Sequence, residues 1–389
     1  MRIDYLSSST LISDSANAVH VSAMSGALCR LGHDVHLHAY EGRGAETDVR
    51  DYYNMNASVT LLRYKKQSDE MPAWLGFLHQ CFPSLRLGGL PALCFGGGEL
   101  AGSLRGKSDL VFARNMYWAF GVRAMQPYIF ESHSPAANVF QRFVERALLR
   151  SKNLKALVVI SDKLADLYRR AYPDMKAPII VAHDGADDPG QGVVALDSKV
   201  QKPFRDVGYV GHLYRGRGIE IILAAAELCP DLQFHIVGGQ TALIEDFKSK
   251  GCPENVTFYG HLAPSSLPEF YKKFDAVLAP YQKKVAVHGN AGDTSSFMSP
   301  LKIFEYMSWG LPILCSDLPV LREVLCDGDN AMLLKPDDPQ DWARALQALQ
   351  QDTDLRQSLA RKARSDFLQH YSWEGRAKRI LKEAGYEEA

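Results

Sequence analysis

The sequence predicts an α/β protein of two Rossmann-like domains, each built on a parallel sheet. Apolar runs of strand length alternate with amphipathic stretches of helix length, the pattern of parallel strands covered by helices. The alternation occurs as two series, one in each half of the chain. At 389 residues the chain is too long for one ordinary core and suits two.

In the first series the expected strands are Ile3–Leu6, Val35–Ala39, Val59–Arg63, Leu110–Ala113, Tyr128–Glu131, Ala156–Ile160 and Ile179–Ala182. The first helix is the most clearly patterned. Val19, Ala23, Ala27 and Leu31 recur every four residues, Met24 and Leu28 widen the stripe, and Gly32 stands where a helix-terminating glycine belongs. In the second series the expected strands are Val207–Gly211, Phe234–Val237, Val256–Tyr259, Ala276–Ala279, Pro312–Cys315 and Met332–Leu334. The turn-rich stretch from Asp184 to Gln201 reads as a linker. It separates an N-terminal domain, residues 1–190, from a C-terminal domain, residues 200–371. A last helix over 372–389 carries Trp373, Ile380 and Leu381 on a charged background, and is expected to pack back on the first domain.

Composition excludes several functions. Forty-four basic and forty-five acidic residues give a net charge of -1, which is not the footprint of a nucleic-acid binder. The seven cysteines are scattered, with no C-x-x-C pair to suggest a zinc or redox site, and read as small buried hydrophobes. No signal-peptide core follows Met1, and no apolar run reaches the roughly eighteen residues of a membrane span, so a cytoplasmic protein is expected. Asp352-Thr353-Asp354 reads as a helix start and not a metal site.

Chemistry in parallel sheets concentrates where strands run into helix N-termini. Gly208-Tyr209-Val210-Gly211-His212-Leu213-Tyr214-Arg215-Gly216-Arg217-Gly218 is one such junction. Its glycines admit a close backbone approach and its cations suit an anion, phosphate first. It lacks the third glycine of the dinucleotide fingerprint, which disfavours a dehydrogenase. A second junction runs from Ser299 through Pro300, Leu301, Lys302 and Glu305 to Gly310. Ser299 is expected to be the N-cap and Pro300 the first helical residue, with Glu305 one turn in and placed for a ribose hydroxyl. A solvated Lys302–Glu305 ion pair is the plainer reading. The polar glycine loop Gly289–Ser296 lies just upstream. The third junction is Glu131-Ser132-His133-Ser134-Pro135, whose His133 is the candidate polar catalytic contact.

Taken together, Val210–Gly218, Ile236-Val237-Gly238-Gly239, Phe258-Tyr259-Gly260-His261, Ala279-Pro280-Tyr281 and Ser299–Gly310 resemble the retaining GT-B glycosyltransferases of family 4. Ala16–His20 and Leu31–Val35 resemble that family's opening loop, helix and second strand. The resemblance implies two Rossmann-like domains facing an interdomain cleft, and sugar transfer from a nucleotide donor with retention and no essential metal or other cofactor. It places Arg217 at a cationic diphosphate position and leaves His212 where the family has an arginine, with Arg215 as its substitute. Glu305 matches the second glutamate of the family's Glu–seven residues–Glu motif, and Phe297 stands where the first would be. His133 matches the family's histidine near the reacting centre, and Gly211, Gly238, Gly239 and Tyr281 fall on the nucleotide side. The Ser-Pro-Leu-Lys form resembles a subgroup that makes cell-surface polysaccharides, with a UDP-sugar favoured over a GDP-sugar.

Two further stretches bear on the acceptor, expected to be a glycan or a lipid-linked one. Met71–Gly98 is strongly apolar, with Arg86 its one formal charge, and reads as core, acceptor cradle or lipid contact. Residues 141–176 hold nine basic and four acidic side chains, a solvated basic face or a contact for an anionic membrane. The rival readings are a nucleotide-sugar epimerase of the same fold and a nucleotide-sugar-binding module without activity.

Overall fold

The computed structural model describes residues 1–386 apart from 14, 43, 66–103, 105–106, 191–201 and 287–291. The apolar stretch Met71–Gly98 and part of the loop Gly289–Ser296 lie outside the described residues. The chain divides into two compact units. The first comprises Met1–Ile160, Leu164–Ala182 and Ala377–Ala389, and the second comprises Ser161–Lys163 and His183–Arg376.

In the first unit β1 (Arg2–Leu11), β2 (Asp34–Glu41), β3 (Thr60–Tyr64), β4 (Leu110–Ala113), β5 (Tyr128–Ser132), β6 (Leu154–Val159) and β7 (Ile179–Val181) form one sheet in the order β3-β2-β1-β4-β5-β6-β7. In the second unit β8 (Asp206–Val210), β9 (Gln233–Val237), β10 (Val256–Gly260), β11 (Ala276–Ala279), β12 (Ile313–Ser316) and β13 (Met332–Leu334) are ordered β10-β9-β8-β11-β12-β13. Every pairing within the two sheets is parallel. Each of the thirteen apolar runs falls on a strand, because strands covered on both faces are mostly apolar along their length. The two faces are separable in the second unit. Val277 and Ala279 pack with Ile303, Phe304 and Met307, while Ala276 and Leu278 pack with Ile222, Ala226, Trp342 and Leu346. In both sheets the strand order reverses, at β1/β4 and at β8/β11, and the loops leaving such a switch point diverge to leave a ligand crevice.

Local signals explain the helices nearest these ends. Helix Ala16–Arg30 is capped by the Ser15 side chain and closed by Gly32 at φ 85°. Asp352 is the N-cap of helix Thr353–Asp366, accepting the Leu355 amide, so the Asp-x-Asp is a helix start. No helix among the described residues is long and apolar enough to cross a membrane.

A polar diagonal crosses each sheet. In the first, the His38 ring on β2 lies 2.8 Å from the Asp4 carboxylate on β1 and 2.8 Å from the Tyr64 hydroxyl on β3. In the second, His235 on β9 lies 2.6 Å from Asp206 on β8 and 2.9 Å from Tyr259 on β10. His38 pairs with Leu6 and Leu62, and His235 with Gly208 and Thr257. Each partner therefore sits two residues off register in the same sense in both sheets. A carboxylate only accepts, so each histidine donates from Nε2 and takes the phenol proton at Nδ1.

Candidate active site

The second unit's candidate residues converge at the β8/β11 switch point. After β8 the chain turns through Gly211, Gly216 and Gly218 into helix Ile219–Leu228. Two glycines at this end of the sheet are required by space as well as by backbone angle. A Cβ on Gly218, at φ +76°, would lie 1.8 Å from the Pro280 carbonyl oxygen. One on Gly238, at φ +116° after β9, would lie 2.2 Å from the Gly211 carbonyl oxygen. The glycine turns after β8 and β9 thus touch through bare backbone. Gly239 lies against Leu213.

Against this turn stands helix Leu301–Ser308. Ser299 is not its N-cap. Pro300 holds that position with φ −79° and ψ 120°, and the helix begins at Leu301. The Ser299 hydroxyl is taken instead by the Asp184 amide, which donates to it at 2.9 Å. A proline cannot donate, so the first turn still offers the Leu301 and Lys302 amides at its positive end. Gly310, at φ 59°, closes the helix as the sequence indicated.

Lys302 is not half of a surface ion pair. Its side chain is buried, with Nζ 3.6 Å from the centre of the Tyr209 ring and 5.2 Å from that of Tyr281. A Cβ on Gly211 would lie 2.8 Å from that Nζ, so the amine sits directly on the turn. Arg217 covers Tyr281 at 5.3 Å. Lys302 Nζ and Arg217 Nε are both buried without a hydrogen-bond partner. Burial, and then the Arg217 charge, hold the Lys302 amine well below the usual range, against the pull of Glu305. Burial pushes the Tyr281 phenol up to about 12, although Arg217 lowers it.

Glu305 accepts a 2.7 Å hydrogen bond from the buried Tyr271 hydroxyl. Burial raises its carboxyl above the ordinary range, with Tyr271 and Lys302 opposing. Phe297, at the position of the absent glutamate, receives the Ser161 hydroxyl on its carbonyl at 3.0 Å. His212 stacks on Tyr214 with ring centres 4.8 Å apart, its carbonyl taken by Tyr209. Arg215 is exposed. The basic group set against Gly211 is therefore Lys302.

In the first unit His133 follows β5, and its Nε2 donates to Glu131 Oε1 at 2.7 Å. His20, from the helix after β1, brings its Nε2 to 3.1 Å from the same oxygen. The two imidazoles meet edge to face with centres 5.0 Å apart. His20 and Glu131 are both buried, and His133 keeps 25% of its side-chain surface. Sequence reasoning singled out His133 and missed Glu131, two residues before it in the same junction, and His20, within the opening Ala16–His20 segment. Tyr209 and Tyr271 were also missed, since nothing separates a site tyrosine from a core tyrosine in the linear pattern.

Nearly the whole chain shares its fold with solved structures. Sucrose-phosphate synthase from Thermosynechococcus elongatus superposes with a TM-score of 0.66 at 18% identity, covering 98% of this chain and 97% of that one. HepE from Anabaena, solved with UDP, gives 0.64 at 16% identity over 98% and 99%. The architecture is thus GT-B. Residues 205–352 match the family of glycosyl transferases group 1. D-inositol 3-phosphate glycosyltransferase of Corynebacterium urealyticum is 27% identical over 252 residues, 59% of this chain and 56% of that enzyme. The chain thus spans little more than half of that relative. These likenesses support placement with glycosyl transferases group 1, and the second unit carries it.

Proposed function

We propose that the protein is a retaining glycosyltransferase that moves a hexose from a nucleotide diphosphate sugar, UDP-linked in preference to GDP-linked, to a glycan or lipid-linked acceptor of a cell-surface polysaccharide. One observation carries the reading. Two basic side chains, Arg217 and Lys302, meet on Tyr281 beside a bare glycine turn and a helix N-terminus, with buried nitrogens that lack acceptors. A diphosphate supplies those acceptors. The Gly211–Gly218 turn and the Leu301 and Lys302 amides receive its oxygens, with His212 and Arg215 at the rim. Glu305, fixed through one oxygen by Tyr271, offers the other to a ribose hydroxyl. Gly238, Gly239 and Tyr281 line the nucleoside side, and Ser299 and Pro300 set where the helix begins.

Negative charge grows on the diphosphate as the glycosidic bond breaks. Groups already aimed at it lower the barrier without rearranging. In this reading they do what a divalent metal does elsewhere, so turnover persists in EDTA. His133, ordered by Glu131, is the first unit's candidate for contact with the reacting groups. The test is a panel of nucleotide sugars, read by slow hydrolysis to nucleotide diphosphate and by product anomer once an acceptor is found. No hydrolysis and no thermal shift with any donor rejects the assignment, and inverted product rejects retention. Binding without hydrolysis or transfer selects the inactive-module reading.

A membrane-borne acceptor has its own support. On helix Val139–Leu149, Val139 is 81% and Phe143 66% exposed, and Arg142 and Arg146, which flank Phe143, are exposed as well. Apolar side chains set among arginines suit the surface of an anionic bilayer. Flotation with anionic liposomes, lost in neutral ones and in Phe143→Ser, is expected; binding indifferent to lipid charge and salt ends the idea.

A further inference from the structure

We propose that Lys302 is a neutral amine in the free protein and becomes an ammonium only when a diphosphate enters beside it, so that donor binding takes up a proton. The inference rests on the diphosphate reading above and adds a charge state to it. An ammonium has three N–H donors and is strongly hydrated, so burying one requires either acceptors or a counter-charge. Lys302 Nζ has neither in hydrogen-bond reach: its side chain is buried and Nζ makes no hydrogen bond.

Its surroundings can be taken element by element. From β8 comes the Tyr209 ring, 3.6 Å from Nζ. From the chain after β11 comes the Tyr281 ring, at 5.2 Å. The glycine turn sets the Gly211 backbone against the amine and adds the Arg217 charge, which repels an ammonium. β12 contributes the Cys315 thiol, which burial keeps protonated. On its own helix Glu305 attracts a charged Lys302, but that carboxyl is engaged by Tyr271 and itself pushed towards the neutral form. The aromatic faces favour the cation and the carboxylate assists. Desolvation and Arg217 oppose them and prevail.

A diphosphate reverses this balance. It brings at least two negative charges and several acceptor oxygens, and it neutralises Arg217, the group that repels the ammonium. A proton then moves from solvent to Nζ, with no other reactant needed. The sign follows from linkage. A site that gains a proton on binding holds its ligand more tightly at low pH and loses affinity as pH rises through that window. The free protein avoids a buried unpaired charge, and the ammonium forms only where leaving-group charge is to develop.

The experiment is titration calorimetry of the whole protein with UDP at about pH 8, in buffers of different ionisation enthalpy. A terminal phosphate, with its second pKa near 6, is already ionised there and contributes no proton. The expected result is uptake of about one proton per UDP bound in the wild type and none in Lys302→Met. In the wild type the Kd is expected to rise about tenfold from pH 8 to pH 9, and in the variant to stay flat. Lys302→Met should fold at least as stably as wild type, since a thioether belongs in this apolar site. The wild-type buffer series stands alone if it does not. Binding with no net proton, or uptake that survives in Lys302→Met, overturns the charge switch while leaving the diphosphate site intact. Failure of UDP, GDP and ADP all to bind overturns both.

Discussion

At the carboxyl ends of the first sheet, His133 and His20 both reach one oxygen of Glu131, within 2.7 and 3.1 Å. At the same ends of the second sheet, Lys302 Nζ and Arg217 Nε are buried without a hydrogen-bond partner. The acid flanked by two imidazoles has its partners within its own unit, an arrangement suited to orienting rings. Basic nitrogens without acceptors are incomplete until an anion arrives. The difference separates positioning from binding, and variants in the two units should fail in different ways.

The largest effect is expected in the second unit. On the diphosphate reading Arg217→Ala removes a charge aimed at the leaving group, and kcat should fall about a thousandfold. The side chain is half-buried on a loop, so the melting temperature should hardly move. Near-normal turnover would show that the unsatisfied nitrogen is incidental. Next comes Glu131→Gln, which keeps the shape of the residue and removes the anion that holds His133. A fall of about a hundredfold in kcat with unchanged KM for the donor is expected, accompanied by an altered pH profile. A change in donor KM alone would mean the first unit binds the donor instead of ordering a reacting group.

What the linear sequence showed and hid follows the same division. The thirteen strands were legible because strands covered on both faces read as mostly apolar runs between turn signals. The glycine turn was legible because glycine is the cheapest residue at positive φ. Ser299 was misread. The N-cap rule judges a residue by its neighbours in sequence, and the Asp184 amide, 115 positions away, claims its hydroxyl. The surface ion-pair alternative for Lys302 fails for a related reason: lysine is almost always exposed, and only packing against Tyr209 and Tyr281 shows that this one is not. The His20–Glu131–His133 group joins a helix after β1 to a junction after β5, an adjacency that only the topology supplies.

The two Asp–His–Tyr diagonals sharpen the comparison, because here the units share one device in different surroundings. The Asp4 side chain is fully buried and His38 1% exposed, whereas the Asp206 side chain is 26% exposed and lies 3.5 Å from Lys273. Asp4→Ala leaves a buried imidazole without its acceptor and should cost about 3 kcal/mol. Asp206→Ala should cost about 1 kcal/mol, since water reaches this partly exposed site and accepts from the imidazole instead. Amide exchange in β1–β3 and in β8–β10 reads the two separately. Equal losses would mean that the shared geometry, and not its burial, sets the energy.

The smallest effect is one of pH: its sign is the same in both units, and its range differs. Burial holds His235 below its ordinary 6.5, outweighing the Asp206 hydrogen bond. Below that value the unfolded chain takes up a proton that the folded one refuses, so stability in the second sheet falls as pH drops from 7 towards the folded value. Asp4 is buried too, but hydrogen bonds from His38 and Ser108 carry its pKa below the ordinary 3.8. Its contribution is intact above 3.8 and is lost only as pH falls further, through the folded value. Moving from pH 7 to 5 should therefore speed exchange, corrected for its intrinsic pH dependence, in β8–β10 and not in β1–β3. His235→Gln should abolish that sensitivity. If both sheets loosen together, the diagonals titrate as one system, and the distinction between a sealed and an open diagonal fails.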